Sequence, residues 1–388
     1  MPTMLSRLLP LALLSNPVMA ASLYASHYSG TVSLLTLTDS NGEYSLTETS
    51  TVIGGGTLPS WLTWDSASRT LYSNDERFSG TGSLTAFSAA EDGALSELVK
   101  VNALFGGVAS TLYGGDNGTG FIATAHYQAS SLSTFKLPLT PSSTEQQTFE
   151  YELTQPGTNP WRQEAPHPHH VVIDPTGSFL LLPDLGADLL RIYSIDKSSG
   201  QLTACSDVAT APGSGPRHAA FWSSPESDTR VFVADELRNT VSGYTVTYAN
   251  DCPSFELQQV LTPYENNATA PAGTKAGEIR VKDNSLYLTN RNDKSFNGND
   301  SITQFTISSD GSIAFHALTS SHGTYPRTFD INQAGDLAAI GDQTTANVAI
   351  VLRDTTTGEL GDKVADLRIG AVGTPESEDG VSAVIWAE

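Results

Sequence analysis

Basic residues are scarce in this sequence. Lys and Arg together number 20 among 388 residues, against 42 Asp and Glu, giving a formal net charge of −22. Such a balance excludes a surface built to neutralise phosphates, so neither nucleic acid nor a membrane surface is an expected partner. The acidic residues are scattered rather than blocked, which describes a well-solvated surface and not an acidic tail. Cysteine is nearly absent. Cys205 and Cys252 are the only two, and a lone pair in an oxidising compartment reads as a disulfide, with two buried thiols as the alternative. Sustained helical periodicity is also missing, and no apolar run after the N-terminus is long enough to span a bilayer.

What the N-terminus does have is MPTMLSRLLPLALLSNPVMAAS. Arg7, the short apolar run LLPLALL and the small-residue site Val18-Met19-Ala20 predict a secretory signal over residues 1–20, cut near Ala20 or Ala21. A single mature domain, 21–388, follows, and the chain is expected to be secreted and extracellular, with the cell wall as one destination. Asn117-Gly-Thr, Asn267-Ala-Thr and Asn299-Asp-Ser are glycosylation sequons, usable in a eukaryotic source.

The mature region repeats. SLYASH, TLYSND, FIATAH, FLLLPD, VFVADE, LYLTNR and LAAIGD are strand-like segments that end near Ser26, Asn74, Ala125, Pro183, Ala234, Asn290 and Gly341, separated by 48, 51, 58, 51, 56 and 51 positions. Each is followed by an alternating strand, and in five copies by a Gly-containing hairpin turn such as SNGEYSL or SDGSIAF. Seven four-stranded antiparallel units predict an all-β, seven-bladed β-propeller. The ends complement each other. SLYASH lacks a first strand before it, and VSAVIW at 381–386 lacks partners after it, so N- and C-terminal strands are expected to close the last blade.

In such a blade the start of the first strand and the end of the second lie on one face. The second-strand ends His27, Asp75, His126, Asp184, Asp235, Arg291 and Asp342 are all polar. Facing them stand the histidines of PHPHH (His167, His169, His170), then GPRH with Arg217, GEIR with Arg280, and PR with Arg327. Several arginines at corresponding repeat positions of a basic-poor chain suggest a local pocket for an anion or a developing oxyanion. The plainer reading makes some of them salt-bridge partners of the Asp ring. Substrate-binding candidates on this geometry are His126, Asp184, Arg291 and Arg327. Three clustered histidines raise the question of metal. They alternate along a strand, so at most two share a face, and zinc wants three or four ligands; no metal or other cofactor is expected. His167 and His170 read as packing or loop-fixing residues, His169 as the better candidate for proton transfer.

The runs HPHHVVIDPTGSFLLLPDLGADLLRIY, GPRHAAF, GEIRV…LYLTNR and PRTFDINQAGDLAAIGDQTTANVAIV resemble the lactonase, seven-bladed propeller family, which includes propeller-type 6-phosphogluconolactonases and fungal 3-carboxy-cis,cis-muconate cyclases. The resemblance covers essentially the whole mature chain. Matched by motif, it implies a catalytic set of His169, Arg217, Glu236 and Arg280, with Arg162 and Gln163 at the rim. It leaves three functions open: a cofactor-free lactonase acting on a sugar-type or anionic lactone, a lactone-forming cycloisomerase acting on a polycarboxylate, or a non-enzymatic secreted glycoprotein or adhesin. The first is the leading expectation, as a monomer acting on a small molecule.

Overall fold

A computed structural model describes residues 19–225, 227–249 and 251–388. The expected signal segment lies outside the described residues apart from Met19 and Ala20. The strand Met19–His27 begins there and pairs with Thr31–Ser40 along its whole length.

Seven antiparallel sheets follow one another in chain order, six with four strands and one with five. From the channel outward, the first strands of blades 2 to 7 are Pro59–Asp65, Gly107–Tyr113, Val172–Ile173, Pro216–Ser224, Lys275–Lys282 and Pro326–Ile331. Blade 1 takes its first strand from the far end of the chain: Val381–Trp386 pairs with Met19–His27, Leu23 opposite Trp386 and Tyr24 opposite Ile385. The predicted terminal closure and the seven-bladed ring are thus observed. Blade 4 departs slightly, because Val208–Ala209 adds a short fifth strand against Leu189–Ile195. Among the described residues the only helical element is a 3-10 turn at Glu265–Asn267.

The ring holds together through its seams. Seven apolar clusters each join two neighbouring blades; at the closing seam Leu337, Ala339, Val348 and Ile350 of blade 7 pack on Leu23, Leu35, Val384 and Trp386 of blade 1. A second strand such as Phe179–Asp184 is covered on both faces, and all six of its residues are buried. It therefore reads as a continuous apolar run, whereas outer strands such as Glu43–Ile53 are mostly exposed and polar. Burial of a Leu or Ile at a seam stabilises by about 1.5–3 kcal/mol, so closing the ring adds a full apolar interface that an open arc would leave wet.

Cys205 and Cys252 form a disulfide, with Cα atoms 5.8 Å apart. Cys205 follows the outer strand Leu202–Ala204 of blade 4 and Cys252 precedes the outer strand Ser254–Leu261 of blade 5. Asn117 is exposed on a loop, Asn267 is exposed at the end of the 3-10 turn, and Asn299 is half-buried.

The bridge closes a long loop of the unfolded chain, a contribution of about 2–4 kcal/mol. Denaturant unfolding of the Cys205→Ser, Cys252→Ser double variant is expected to show that loss; an unchanged midpoint would remove the disulfide from the stability account.

Candidate active site

The site begins with an irregularity repeated around the ring. Pairing between first and second strands gains one residue at the same place in blade after blade: between Pro59 and Trp61, Gly107 and Ala109, Pro216 and His218, Ala276 and Ile279, Pro326 and Thr328, and Val381 and Ala383. In blade 4 the same gain falls between Pro168 and Val172. A β-bulge bends its strand and re-aims the extra side chain. Ser60, Val108, Arg217, Arg327 and Ser382 accordingly converge on one narrow space in the channel. His169 follows Pro168 as Arg217 follows Pro216 and Arg327 follows Pro326. Blade 6 carries Gly277 at this level, and a Cβ there would collide with Thr289 Oγ1 and crowd Arg291 Nε at 3.2 Å. That bare backbone accepts a hydrogen bond from Arg217 Nη1 at 2.9 Å.

Above this level opens a cavity of ≈ 370 Å³. Its wall comes largely from the residue after each second strand, Glu76, Tyr127, Glu236 and Gln343, with Arg162, His169, Arg291, Tyr325 and Arg327 around them. Tyr325 has φ 65°, a left-handed backbone unusual for a bulky residue; it is fixed by Asp300 Oδ2, which accepts its N–H at 2.6 Å, and its ring lies under the Arg291 guanidinium, 5.3 Å away. Trp161, 90% exposed, stands on the rim.

Charge on the cavity floor is organised about Glu236. Its Oε1 meets Arg162 Nη2 at 2.7 Å, and its Oε2 meets Arg291 Nη2 at 2.7 Å and Arg217 Nε at 3.1 Å. Burial alone would raise this carboxyl, but Arg162, Arg291 and Arg217 outweigh it and hold it well below the usual carboxylate range. Arg217 is itself pulled below its ordinary range, first by burial and then by Arg291 and Arg327. Arg327 has a separate counter-ion in Glu76 Oε2, 3.2 Å away, which also accepts a hydrogen bond from the Tyr28 hydroxyl at 2.5 Å. The floor therefore gathers four guanidiniums against two carboxylates, while Glu164, Glu376 and Glu378 make the rim acidic.

His169 is 6% exposed and opens onto this cavity. Burial, Arg217 and His218 push its pKa well below 6.5, so at neutral pH the imidazole is uncharged and able to accept a proton. A basic nitrogen, several guanidiniums and a space for a small anion meet at one mouth of the channel.

The family model for "Lactonase, 7-bladed beta-propeller" matches residues 19–374. The chain belongs to the lactonase, seven-bladed β-propeller family. It is 30% identical over 322 residues to a "Probable 6-phosphogluconolactonase" of Arthroderma benhamiae, covering 81% of this chain and 79% of that one. With the 6-phosphogluconolactonase of Bacillus subtilis it shares 28% identity over 247 residues, 63% of this chain and 66% of the other. Among solved structures, the periplasmic gluconolactonase PpgL of Pseudomonas aeruginosa superposes with TM-score 0.76 at 22% identity, over 92% of this chain and 98% of that one. A putative 6-phosphogluconolactonase of Bacteroides fragilis superposes with TM-score 0.77 at 22% identity, over 98% and 100%.

Within this lactonase-family propeller the residues singled out from sequence separate into three groups. His169, Arg162, Arg291, Arg327 and Glu236 line the cavity, and Arg217 lies directly beneath it. Arg280 does not join them. In the register of blade 6 the residue equivalent to Arg217 is Gly277; Arg280 lies three positions further along and opens on the opposite mouth of the channel with Trp61, His170 and Phe221. His126, Asp184 and Gln163 are likewise away from the cavity surface. His126 is fully buried, bonded through Nε2 to Ser133 Oγ at 2.8 Å, and burial lowers its pKa to about 4. Asp184 accepts the His167 N–H at 2.7 Å and pairs with Arg191 at 2.9 Å. Gln163 ties its loop to the Leu185 carbonyl at 3.1 Å. For His126 and Asp184 the reason is strand periodicity: adjacent side chains point to opposite sides, so a ring chosen one residue early selects those turned into the blade. His167 fixes a loop, stacked on Tyr127 with ring centroids 4.0 Å apart. Tyr127, Glu76, Gln343 and Lys275 were not anticipated, although the position after each second strand was the signal for the first three.

Removing one partner from a buried ionic cluster costs about 3–5 kcal/mol. Glu236→Gln is expected to lower unfolding stability by that order in denaturant titration. A variant as stable as the parent would mean that the three arginines do not depend on this carboxylate.

Proposed function

We propose that this chain hydrolyses a small anionic lactone of the sugar-acid type at the cavity over the channel. The observation that carries the reading is His169: an imidazole kept uncharged by burial and by Arg217, opening on a cavity floored by guanidiniums. In the proposed step His169 Nε2 takes a proton from water as the water oxygen bonds to the lactone carbonyl carbon. The carbonyl oxygen becomes an oxyanion and is stabilised by Arg327, while Arg291 holds the substrate's own negative group. Collapse of this intermediate breaks the ring C–O bond, and the departing alkoxide takes the proton back from the imidazolium. The product is a hydroxy acid.

Glu236 is the counter-ion that lets cations gather, since three guanidiniums leave it no tendency to carry a proton. The names of the fungal and bacterial relatives and of the Pseudomonas structure supply the sugar-lactone class by likeness. An extracytoplasmic location is part of the proposal, supported by the Cys205–Cys252 bridge and the leader-like N-terminal sequence. A phosphorylated sugar lactone is not an expected extracellular metabolite, so a sugar-acid lactone whose charge is a free carboxylate fits that location better.

The test is acid release, followed by pH-stat, from a panel of anionic and neutral lactones. His169→Gln is expected to lower kcat about 10²- to 10⁴-fold. Arg291→Gln is expected to raise KM for anionic lactones about 10- to 100-fold while changing neutral ones less. Release from no lactone by folded protein would sink hydrolysis and turn attention to cyclisation of a polycarboxylate or to a binding role.

The pH dependence has a definite sign. A base works in its unprotonated form, and the His169 pKa is displaced downward. Activity is therefore expected to stay level as pH falls from neutrality through 6.5 and to decline only in stronger acid. A rate already halved near pH 6.5 would contradict His169 as the base.

A further inference from the structure

Beneath the cavity lies a line of buried polar groups that the hydrolytic step does not use. His169 Nδ1 is 3.2 Å from His218 Nε2, and His218 Nδ1 is 3.1 Å from Glu278 Oε1. The same Oε1 accepts the Ile279 N–H at 3.1 Å and Arg280 Nη1 at 2.7 Å. The line descends through the channel wall from blade 4 to blade 5 to blade 6, ending at the arginine of the opposite mouth. His218 has little freedom to turn: His170 stacks on it with ring centroids 4.5 Å apart, and Trp61 meets it edge-on at 5.5 Å.

Hydrogen-bond polarity along the line follows from its lower end. A backbone N–H and a guanidinium can only donate, so Glu278 Oε1 is an acceptor. His218 Nδ1 must then carry a hydrogen. Burial and Arg217 hold both His169 and His218 well below the usual histidine pKa, so each ring carries one proton, and His218 Nε2 is a lone pair. His169 Nδ1 donates to that lone pair, which leaves Nε2 of His169 as its basic nitrogen on the cavity side.

We propose that His218 and Glu278, braced by Arg280, are positioning residues whose hydrogen bonds lock His169 into the tautomer with its proton on Nδ1 and its lone pair facing the cavity. The inference rests on the reading of His169 as general base. Without this line a buried neutral imidazole is free to place its proton on Nε2, where it blocks proton abstraction. It also gives Arg280 a role at a distance: it touches no group at the upper mouth and acts through Glu278. A fixed acceptor behind a catalytic histidine is worth a large factor because the wrong tautomer is inactive.

The test is long-range ¹H–¹⁵N correlation spectroscopy on the full chain with ¹⁵N-labelled histidine. The chain has eight histidines, and the signals of His169 and His218 are identified by their loss in His169→Gln and His218→Phe. In the parent protein at neutral pH both rings are expected to show a protonated Nδ1 and an unprotonated Nε2. In His218→Phe the His169 signals are expected to move toward a mixture of tautomers, with kcat down about 10²-fold or more and KM little changed. Glu278→Gln keeps an acceptor oxygen and is expected to retain the parent tautomer, whereas Glu278→Leu is expected to lose it. A merely structural role would make the two Glu278 variants alike in the spectrum.

A protonated Nε2 on His169 in the parent protein overturns the proposal, and that measurement needs no variant to fold. A His169 spectrum unmoved in folded His218→Phe also overturns it. The spectrum needs no substrate, so the two readings fail separately. The expected tautomers in a protein that opens no lactone would sink hydrolysis and leave the relay standing; an active lactonase with the opposite tautomer would sink the relay alone.

Discussion

One extra residue at the start of each first strand is the constraint on which this site depends. A regular strand pair would send Arg217 and Arg327 alternately up and down the blade faces, into seams already filled with Leu, Val and Ile. The bulge rotates each of them into the channel instead. The apolar seams hold the blades, the bulges aim the side chains, and the loops after the second strands supply the surrounding wall. Each level needs the one below it.

Gathering guanidiniums in a small buried volume is costly, and the ring solves this locally. Glu236 contacts three of them and Glu76 a fourth. The floor keeps excess positive charge inside a chain of net charge −22, so an anion reaching it meets a field opposite to that of the surface around it. Burial first, and then Arg217 and Arg327 of the same cluster, keep His169 unprotonated. Anion binding and the protonation state of the base are therefore coupled: Arg217 and Arg327 belong to the set that attracts the substrate's charge and also hold the imidazole in its neutral form.

Much of the fold was readable because repetition multiplies a weak signal. No single segment such as LYLTNR identifies a propeller, but seven at nearly constant spacing do, and the unpaired SLYASH and VSAVIW define the closure. The site was legible only in part. Pro-His169, Pro-Arg217 and Pro-Arg327 share a visible dipeptide frame, whereas blade 6 breaks it with Ala276-Gly277. Matching arginine to arginine there selected Arg280, and only the strand register shows that a glycine occupies the equivalent place. His126 and Asp184 were chosen one residue early, and a one-residue error along a strand reverses the side of every side chain. His218 and Glu278 sit inside the GPRH and GEIR runs but were passed over for the arginines beside them. Their role depends on contact between neighbouring blades about 50–60 residues apart, which spacing alone does not encode.

The central claim is that a sugar-acid anion sits in the upper cavity with its reacting carbon at His169. A crystal structure of the protein with an aldarate, the dicarboxylate product of opening an anionic sugar-acid lactone, tests it most directly. The carboxylate formed from the lactone carbonyl is expected at Arg327 with one oxygen within about 2.6–3.2 Å of His169 Nε2, and the second carboxylate against Arg291. An aldarate bound at the opposite mouth beside Trp61 and Arg280, or held in the upper cavity with both carboxylates turned away from His169, would contradict it.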